Sequence, residues 1–543
     1  MELGGVARPS DPEHHASESS HLLDGGSNAV RDGVDSHDGH ITVEEAIETI
    51  GFGKFQLGIL AYTGLAWLAD AAEMILLSFI GPAARCEWGL SSFEEGAISS
   101  AVFAGVFVGA YVWGFVSDMK GRRLGFLATA LFTFFFGLLS AWSPTYLFLL
   151  LARTFVGFGL GGSSVGLRLK YFVWHVVFSL CMEFLPASSR GFWLVFMEVL
   201  WTVGSVLSAL LAWLILPNHS WRILVAVSAL PFLLLLVFYS WVPESPRYLM
   251  VKGDVEGARK VISQVAYING APVPTGSLSL AKSSHQTVGK QDRSTVADGL
   301  DDKTKGSKGI KGAWEIFLQL FSPELKLTTI LLWTFFFANA FTYYGLVLLT
   351  TQLPVKSHDK LISAEAECMP DGRPGTDVSS YKAVLITSLA ELPGLVVACL
   401  TVERFGRKAS LGSLLLGTGL FVAPLWKPLS EGLTTTLMFG ARSCIMGAFS
   451  ILWAFAPELY PTKLRSTGLG TSNSAGRVGG FLCPFVAIQM MNNGHRILSV
   501  TLFSAVPLIT SIATLLFPVE TKGLRLADDI RSEKPASEDH AGV

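Results

Sequence analysis

The sequence predicts an all-α membrane protein with twelve transmembrane helices in two pseudo-symmetric six-helix bundles. Three observations predict it. Half of the 543 residues are hydrophobic and only 15% are charged, against roughly 25% charged in an average soluble domain. Twelve apolar segments are long enough to cross a hydrocarbon core of ~30 Å at 1.5 Å per residue. Motifs at the ends of these segments recur in the same order in the two halves, the mark of a transporter built from repeats.

The twelve segments lie near 56–80, 97–117, 124–142, 145–167, 191–216, 222–242, 326–351, 381–402, 409–427, 434–454, 467–491 and 497–518. A long polar break follows the sixth. The chain divides into a disordered N-terminal tail (1–50), an N-terminal bundle (51–243), a linker (244–325), a C-terminal bundle (326–519) and a C-terminal tail (520–543). The first 40 residues lack the apolar core of a cleavable leader and carry one acidic dileucine pattern, Glu18 to Leu23. Lys120, Arg122, Arg123, Arg190, Arg404, Arg407, Lys408, Lys463 and Arg465 fall on one side with the Lys-rich linker. The positive-inside rule makes that side, and both termini, cytoplasmic. The address is a plasma or vacuolar membrane.

The repeat has three parts. Asp118-Met-Lys-Gly121-Arg122-Arg123 after span 2 is echoed by Glu403-Arg-Phe-Gly406-Arg407-Lys408 after span 8. Glu183-Phe-Leu-Pro186 through Arg190 is echoed by Glu458-Leu-Tyr-Pro461 through Arg465. Pro243-Glu244-Ser-Pro-Arg247 is echoed by Pro518-Val-Glu520. One place fails to repeat. Arg153 to Glu183 spans 30 positions, whereas Arg442 to Glu458 spans 16. The extra stretch near 163–182 would make span 4 a helix of about 60 Å. It is expected to be re-entrant or interfacial, and to threaten the placement of Glu183 and Arg190.

These residues resemble the major facilitator superfamily. Asp118 to Arg123, Arg153 to Gly159 and Pro243 to Arg247 carry the resemblance, and the fold it implies is the major facilitator fold. Phe52 to Gln56, Glu73 to Ser78, Ala338 to Phe341, Tyr343-Tyr344-Gly and Ala456 to Pro461 are similar to the synaptic-vesicle-protein-related branch. Plant organic cation/carnitine transporters and nicotinate-transporter-like proteins belong to that branch. The resemblance implies alternating access, driven by proton symport, for a small organic cation, a zwitterion or a pyridine carboxylate. Rival readings on the same fold are a transport-inactive sensor or vesicle-associated binding protein, and a sugar-type porter.

Charges at membrane depth are costly and are functional candidates by default. By resemblance to proton-coupled sugar porters, Asp70 is expected to carry the proton and to pair with Arg153. Glu73, three positions on, is expected to face a cationic substrate. Glu391, beside Pro393-Gly394, could couple protons, bind substrate or support a helix break; Glu198 is similar but nearer the cytoplasm. Where sugar porters carry paired Gln, span 7 offers Asn339, Tyr343 and Tyr344. With Trp67 and Trp201 these suit cation–π or stacking contacts. A cytoplasmic gate of salt bridges between the halves is expected from Asp118, Arg122, Arg123, Glu183, Arg190, Glu244 and Arg247, and from Glu403, Arg407, Arg442, Glu458, Arg465 and Glu520.

A net charge of -2 gives no footprint for nucleic acid. The partners expected are a small-molecule substrate, protons and the lipid bilayer, with a monomer as the working unit. No nucleophile–base set or nucleotide loop suggests an enzyme. Six scattered Cys lack metal-ligand spacing, so neither metal nor cofactor is expected. Cys86 and Cys368 both fall on the non-cytoplasmic side, where two free thiols are expected and a disulfide is the alternative.

Overall fold

The computed structural model describes residues 40–162, 176–186, 190–279, 317–353, 368, 378–461 and 464–522. The dileucine pattern, most of the linker and the part of the predicted insertion at 163–175 lie outside them. In the N-terminal half, spans 1 to 5 are α2 (Lys54–Trp88), α3 (Ser92–Lys120), α4 (Arg122–Ala141), α5 (Tyr146–Gly161) and α7 (Arg190–Ile215). Span 6 is broken into α8 (Trp221–Ser228) and α9 (Leu230–Phe238), where Pro231 removes a backbone donor. In the C-terminal half, span 7 is α12 (Lys326–Gln352) and span 8 is divided into α13 (Val378–Leu389) and α14 (Glu391–Phe405). Spans 9 to 12 are α15 (Arg407–Val422), α16 (Glu431–Glu458), α17 (Arg465–Pro484, running on through a π turn to Asn492) and α18 (Arg496–Ala513).

Ten of these crossings meet the length and apolarity of a membrane span among the described residues. The other two fall short for local reasons. α5 has only 16 described residues, and α17 is diluted by Gly, Ser, Thr, Asn and Arg477. Twelve crossings result, as the sequence predicts. Their outward faces carry large exposed apolar side chains such as Leu131, Phe135, Leu400 and Ile512, which is the composition a lipid-facing surface needs.

Three shorter helices lie at one end of the bundle: α1 (Val43–Ile50), α10 (Pro246–Lys252) and α11 (Val255–Asn269). We call this end the linker face and the opposite end the far face. The expected disorder of residues 1–50 needs correction at 40–50. Strand β1 (His40–Thr42) pairs in parallel with β2 (Ser277–Ser279) of the linker. Thr42 and Glu45 form a reciprocal capping box, and Glu44 forms an ion pair with Arg247. The Asn269 side chain accepts from the Phe55 N–H at 2.9 Å and donates to Gln56 Oε1 at 2.7 Å. The linker thus grips the start of α2. A fourth short helix, α6 (Val176–Phe184), ends the predicted insertion. Its Phe184 packs edge-on against Phe55, with centroids 5.3 Å apart.

Glycine sets helix separation inside each half. A Cβ at Gly157 or Gly161 of α5 would overlap the Val102 and Val106 carbonyls of α3, and one at Gly394 would overlap the Ser443 carbonyl of α16. Backbones therefore meet directly, as small residues allow in membrane helix pairs.

The repeat has a physical counterpart at the linker face. Glu244 Oε1 accepts from the N–H groups of Arg122 and Arg123 at 3.0 and 3.2 Å, capping α4. Glu520 accepts from those of Arg407 and Lys408 at 2.8 and 2.9 Å, capping α15. A carboxylate at a helix N-terminus satisfies orphan donors and complements the helix dipole. Gly121 and Gly406 enter these helices at φ +113° and +86°, and a Cβ at either would strike the capping carboxylate. Burial opposes the charge on Glu520, but backbone donors outweigh it and hold its carboxyl below the ordinary range. A depressed folded-state value means the stabilisation is complete above the unfolded value and is lost as pH falls through the folded one. Glu520→Gln is therefore expected to lower the melting temperature at neutral pH and to flatten the acid limb of the stability curve, measured by thermal scanning in detergent between pH 7 and 3. An unchanged acid limb would refute the cap.

Candidate functional site

At mid-depth each half buries one arginine against one carboxylate. In the N-terminal half Arg153 Nη1 on α5 lies 2.8 Å from Glu73 Oε2 on α2, and both side chains are at most 2% exposed. Ser228 of α8 donates to the other Glu73 oxygen at 2.7 Å. In the C-terminal half Arg442 Nη2 on α16 lies 2.5 Å from Glu391 Oε1 on α14, both fully buried. Tyr343 on α12 donates to that same oxygen at 2.9 Å, and Arg442 Nη1 reaches Ser388 Oγ at 3.4 Å.

A chain of contacts joins the halves at this depth. Trp201 Nε1 on α7 donates to the Tyr343 hydroxyl at 3.0 Å. Trp67 on α2 lies against Trp201 with ring centroids 5.1 Å apart. Tyr344 meets Phe103 of α3 edge-on at 4.8 Å and Tyr343 at 5.1 Å. The Tyr344 hydroxyl is hydrogen-bonded to Arg477 of α17 and feels the charge of Asp70. Glu198 on α7 lies within electrostatic reach of Glu391 across the seam. The result is an aromatic cluster at the junction of the halves, bordered by acids from both sides and by Arg442 and Arg477.

The family described as "Sugar (and other) transporter" matches residues 55–367 and 375–529. The chain belongs to that family, within the major facilitator superfamily. A protein of Arabidopsis thaliana named organic cation/carnitine transporter 7 is 43% identical over 505 residues, covering 91% of this chain and 97% of that one. Synaptic vesicle 2-related protein of Xenopus laevis is 34% identical, covering 94% and 87%. Among solved structures, the xylose transporter XylE of E. coli, partially occluded and inward open, aligns with a TM-score of 0.63 at 17% identity, covering 87% of this chain and all of that one. This likeness shows the fold alone.

The transporter departs from the expected site in four ways. First, Arg153 pairs with Glu73 rather than Asp70. Positions three apart on a helix are neighbours without being equivalent. Glu73 meets α5 and α8, while Asp70 lies within electrostatic reach of Tyr344 of the other half. Glu73 is thus bound up inside its own bundle and is not the open counter-ion foreseen for it. Second, Arg442 is not at the linker face. It sits in the middle of the 28-residue α16, a position its match to Arg153 in the repeat already implied.

Third, the ion pairs and caps described for the linker-face charges lie within single halves. Arg122 Nε lies 3.7 Å from Glu183 Oε1, within the N-terminal half. Arg407 Nη2 lies 3.2 Å from Glu458 Oε1, within the C-terminal half, and Glu244, Glu520 and Arg247 also bind within reach of their own half. Arg123 covers the Tyr239 ring at 4.5 Å. The side chains of Asp118 and Arg190 lie outside the described residues. Glu403 is exposed at the end of α14, and Arg465 opens α17. The insertion leaves Glu183 in reach of Arg122. Fourth, Cys86 and Cys368 form a disulfide at the far face, so the expectation of free thiols fails there.

Trp67, Trp201, Tyr343, Tyr344 and Glu391 do meet around the seam. Asn339 is fully buried one turn before Tyr343, and its amide nitrogen donates to the Phe335 carbonyl at 3.0 Å. Sequence reasoning missed Arg477, although a lone basic residue within an otherwise small and polar span was a readable signal. Breaking a buried ion pair from one side leaves an uncompensated charge. Glu73→Ala and Glu391→Ala are each expected to cost about 3 kcal/mol or more of stability, whereas Glu73→Leu combined with Arg153→Met recovers most of the loss. Chemical unfolding in detergent checks this; additive losses in the double variant would contradict the pairing.

Proposed function

We propose that this transporter moves a small organic cation or zwitterion by alternating access, driven by a proton gradient. The observation that carries the reading is the aromatic cluster at the seam: Trp67, Trp201, Tyr343 and Tyr344, with Asp70 and Glu198 on one side and Glu391 on the other. Aromatic faces attract a quaternary or protonated nitrogen, most strongly where water is excluded, and the acids supply the counter-charge. The relative named for organic cations and carnitine supports the same substrate class. The location supports alternating access, since repeated halves place substrate sites near the midplane between them.

The pairing revises the coupling scheme. An arginine beside a carboxylate keeps it ionised, and separating the two permits protonation. Glu73 with Arg153 takes the proton-carrying role, with Glu391 and Arg442 as its counterpart in the other half. Asp70, within electrostatic reach of Tyr344, takes the role of substrate counter-ion. A second reading, a pyridine carboxylate such as nicotinate, draws on Arg477 beside Tyr344, because a guanidinium is the natural partner of a carboxylate and the tyrosine ring can stack. The basic loops gathered at the linker face support a cytoplasmic placement of that face. The disulfide at the far face supports an oxidising compartment on the other side. The protein acts as a monomer in this reading.

Uptake of labelled carnitine, nicotinate and xylose into proteoliposomes, with and without an inward-directed proton gradient, tests the proposal. Gradient-stimulated uptake of carnitine or nicotinate and none of xylose is expected. Glu73→Gln is expected to lose gradient-driven accumulation while keeping substrate exchange. Asp70→Asn is expected to raise KM for the cation at least tenfold, about the 1.4 kcal/mol of one charge-assisted contact. PH-dependent uptake that survives in Glu73→Gln would sink the coupling scheme.

A further inference from the structure

The far face contains a polar junction that none of the site residues above accounts for. Its centre is Glu95, in the first turn of α3 and only 1% exposed. Arg85 Nη1, near the end of α2 in the same half, lies 3.3 Å from Glu95 Oε2. The other two donors come from the opposite half. Gln352, the last residue of α12, donates through Nε2 to Glu95 Oε1 at 3.3 Å. Asn492, at the end of the α17 continuation, donates through Nδ2 to Glu95 Oε2 at 3.0 Å. Around this carboxylate further contacts cross the seam at the same end. Phe93 stacks on Phe485 at 5.5 Å. Ser100 donates to the Phe481 carbonyl at 2.9 Å. Cys86, next to Arg85, is covalently joined to Cys368 beyond α12.

We propose that Glu95 is the gate residue of the far face: a buried carboxylate that clasps α12 and α17 of the opposite half when this mouth is closed and releases them when it opens. It acts by positioning the halves and touches no substrate. Three features fit a bond made to be broken. The two cross-half donors described, Gln352 and Asn492, are neutral amides, so breaking their bonds strands no cation. Their distances of 3.0 and 3.3 Å exceed the 2.5 and 2.8 Å of the mid-depth pairs, which stay inside single halves. Arg85 is 21% exposed, so water already reaches the partner that keeps Glu95 company after release. Clasps of this kind, switching between two packed arrangements, are how rigid halves gate access.

The inference rests on alternating access and on no substrate assignment, so its test uses no substrate. Hydrogen–deuterium exchange is measured on the full-length protein in lipid nanodiscs, for wild type, Glu95→Ala, Gln352→Ala and Asn492→Ala. Loss of one hydrogen bond shifts a two-state balance about fivefold. Exchange is expected to rise by that order in the opening turns of α3 and the closing turns of α12. It is expected to fall at the linker face, in α10 and α11, because a protein that opens one mouth closes the other. The two amide variants carry the test if Glu95→Ala does not fold. Glu87→Ala is the control. Glu87 binds Arg222 and Trp221 at the same face but within one half, and its loss is expected to raise exchange locally with no change at the linker face. The proposal stands if at least one amide variant shows the reciprocal pattern and the control does not. It falls if neither amide variant changes the linker face, or if Glu87→Ala changes it equally.

Discussion

Two arginine–carboxylate pairs buried at mid-depth organise the rest of the molecule. Each joins a helix of its bundle to another through buried side chains, Arg153 with Glu73 and Arg442 with Glu391. A lone charge there would be prohibitive, and a pair with matched hydrogen bonds is tolerable. Ser228 and Tyr343 complete the two carboxylates. Each pair lies inside one half and ties two of its helices together. The described contacts across the seam are aromatic pairs and hydrogen bonds such as Trp201 to Tyr343 and Asn492 to Glu95.

The two ends of the molecule use polar groups differently. At the linker face, carboxylates cap helix starts within each half, Glu244 on α4 and Glu520 on α15. At the far face, Glu95 reaches across the seam. Alternating access requires such a difference: the halves must hold their own shape in every state, while their mutual contacts are exchanged from one mouth to the other. The aromatic cluster of Trp201, Tyr343 and Tyr344 sits between the two ends, where the single bond from Trp201 to Tyr343 ties a site residue of one half to the ion pair of the other.

Much of this was legible in the chain. Apolar length alone predicts twelve crossings, because a bilayer admits only helices of about 20 residues or closed barrels. The recurring Gly121 and Gly406 motifs mark the tight turns, since positive φ and a crowding carboxylate leave room for no side chain. Candidate site residues were picked out by the cost of their charge. Their partners were not, because one-dimensional spacing says that Asp70 and Glu73 share a side of the helix without saying which meets α5. Arg442 shows the same limit. It was grouped with loop charges by motif order, though its place in the middle of α16 buries it.

The sequence by itself determined the fold class, the two-fold repeat and the set of charges that must be satisfied inside the membrane. These follow from local chemistry: hydrophobic length, proline, glycine and the energetic cost of burying charge. Only the tertiary structure decided which carboxylate each arginine takes, that Glu244 and Glu520 cap helices of their own halves, that Cys86 reaches Cys368, and that Glu95 joins the halves at the far face. Those choices depend on helix rotation and depth, which are set by packing between residues as far apart in sequence as Glu95 and Asn492, and no local pattern records them.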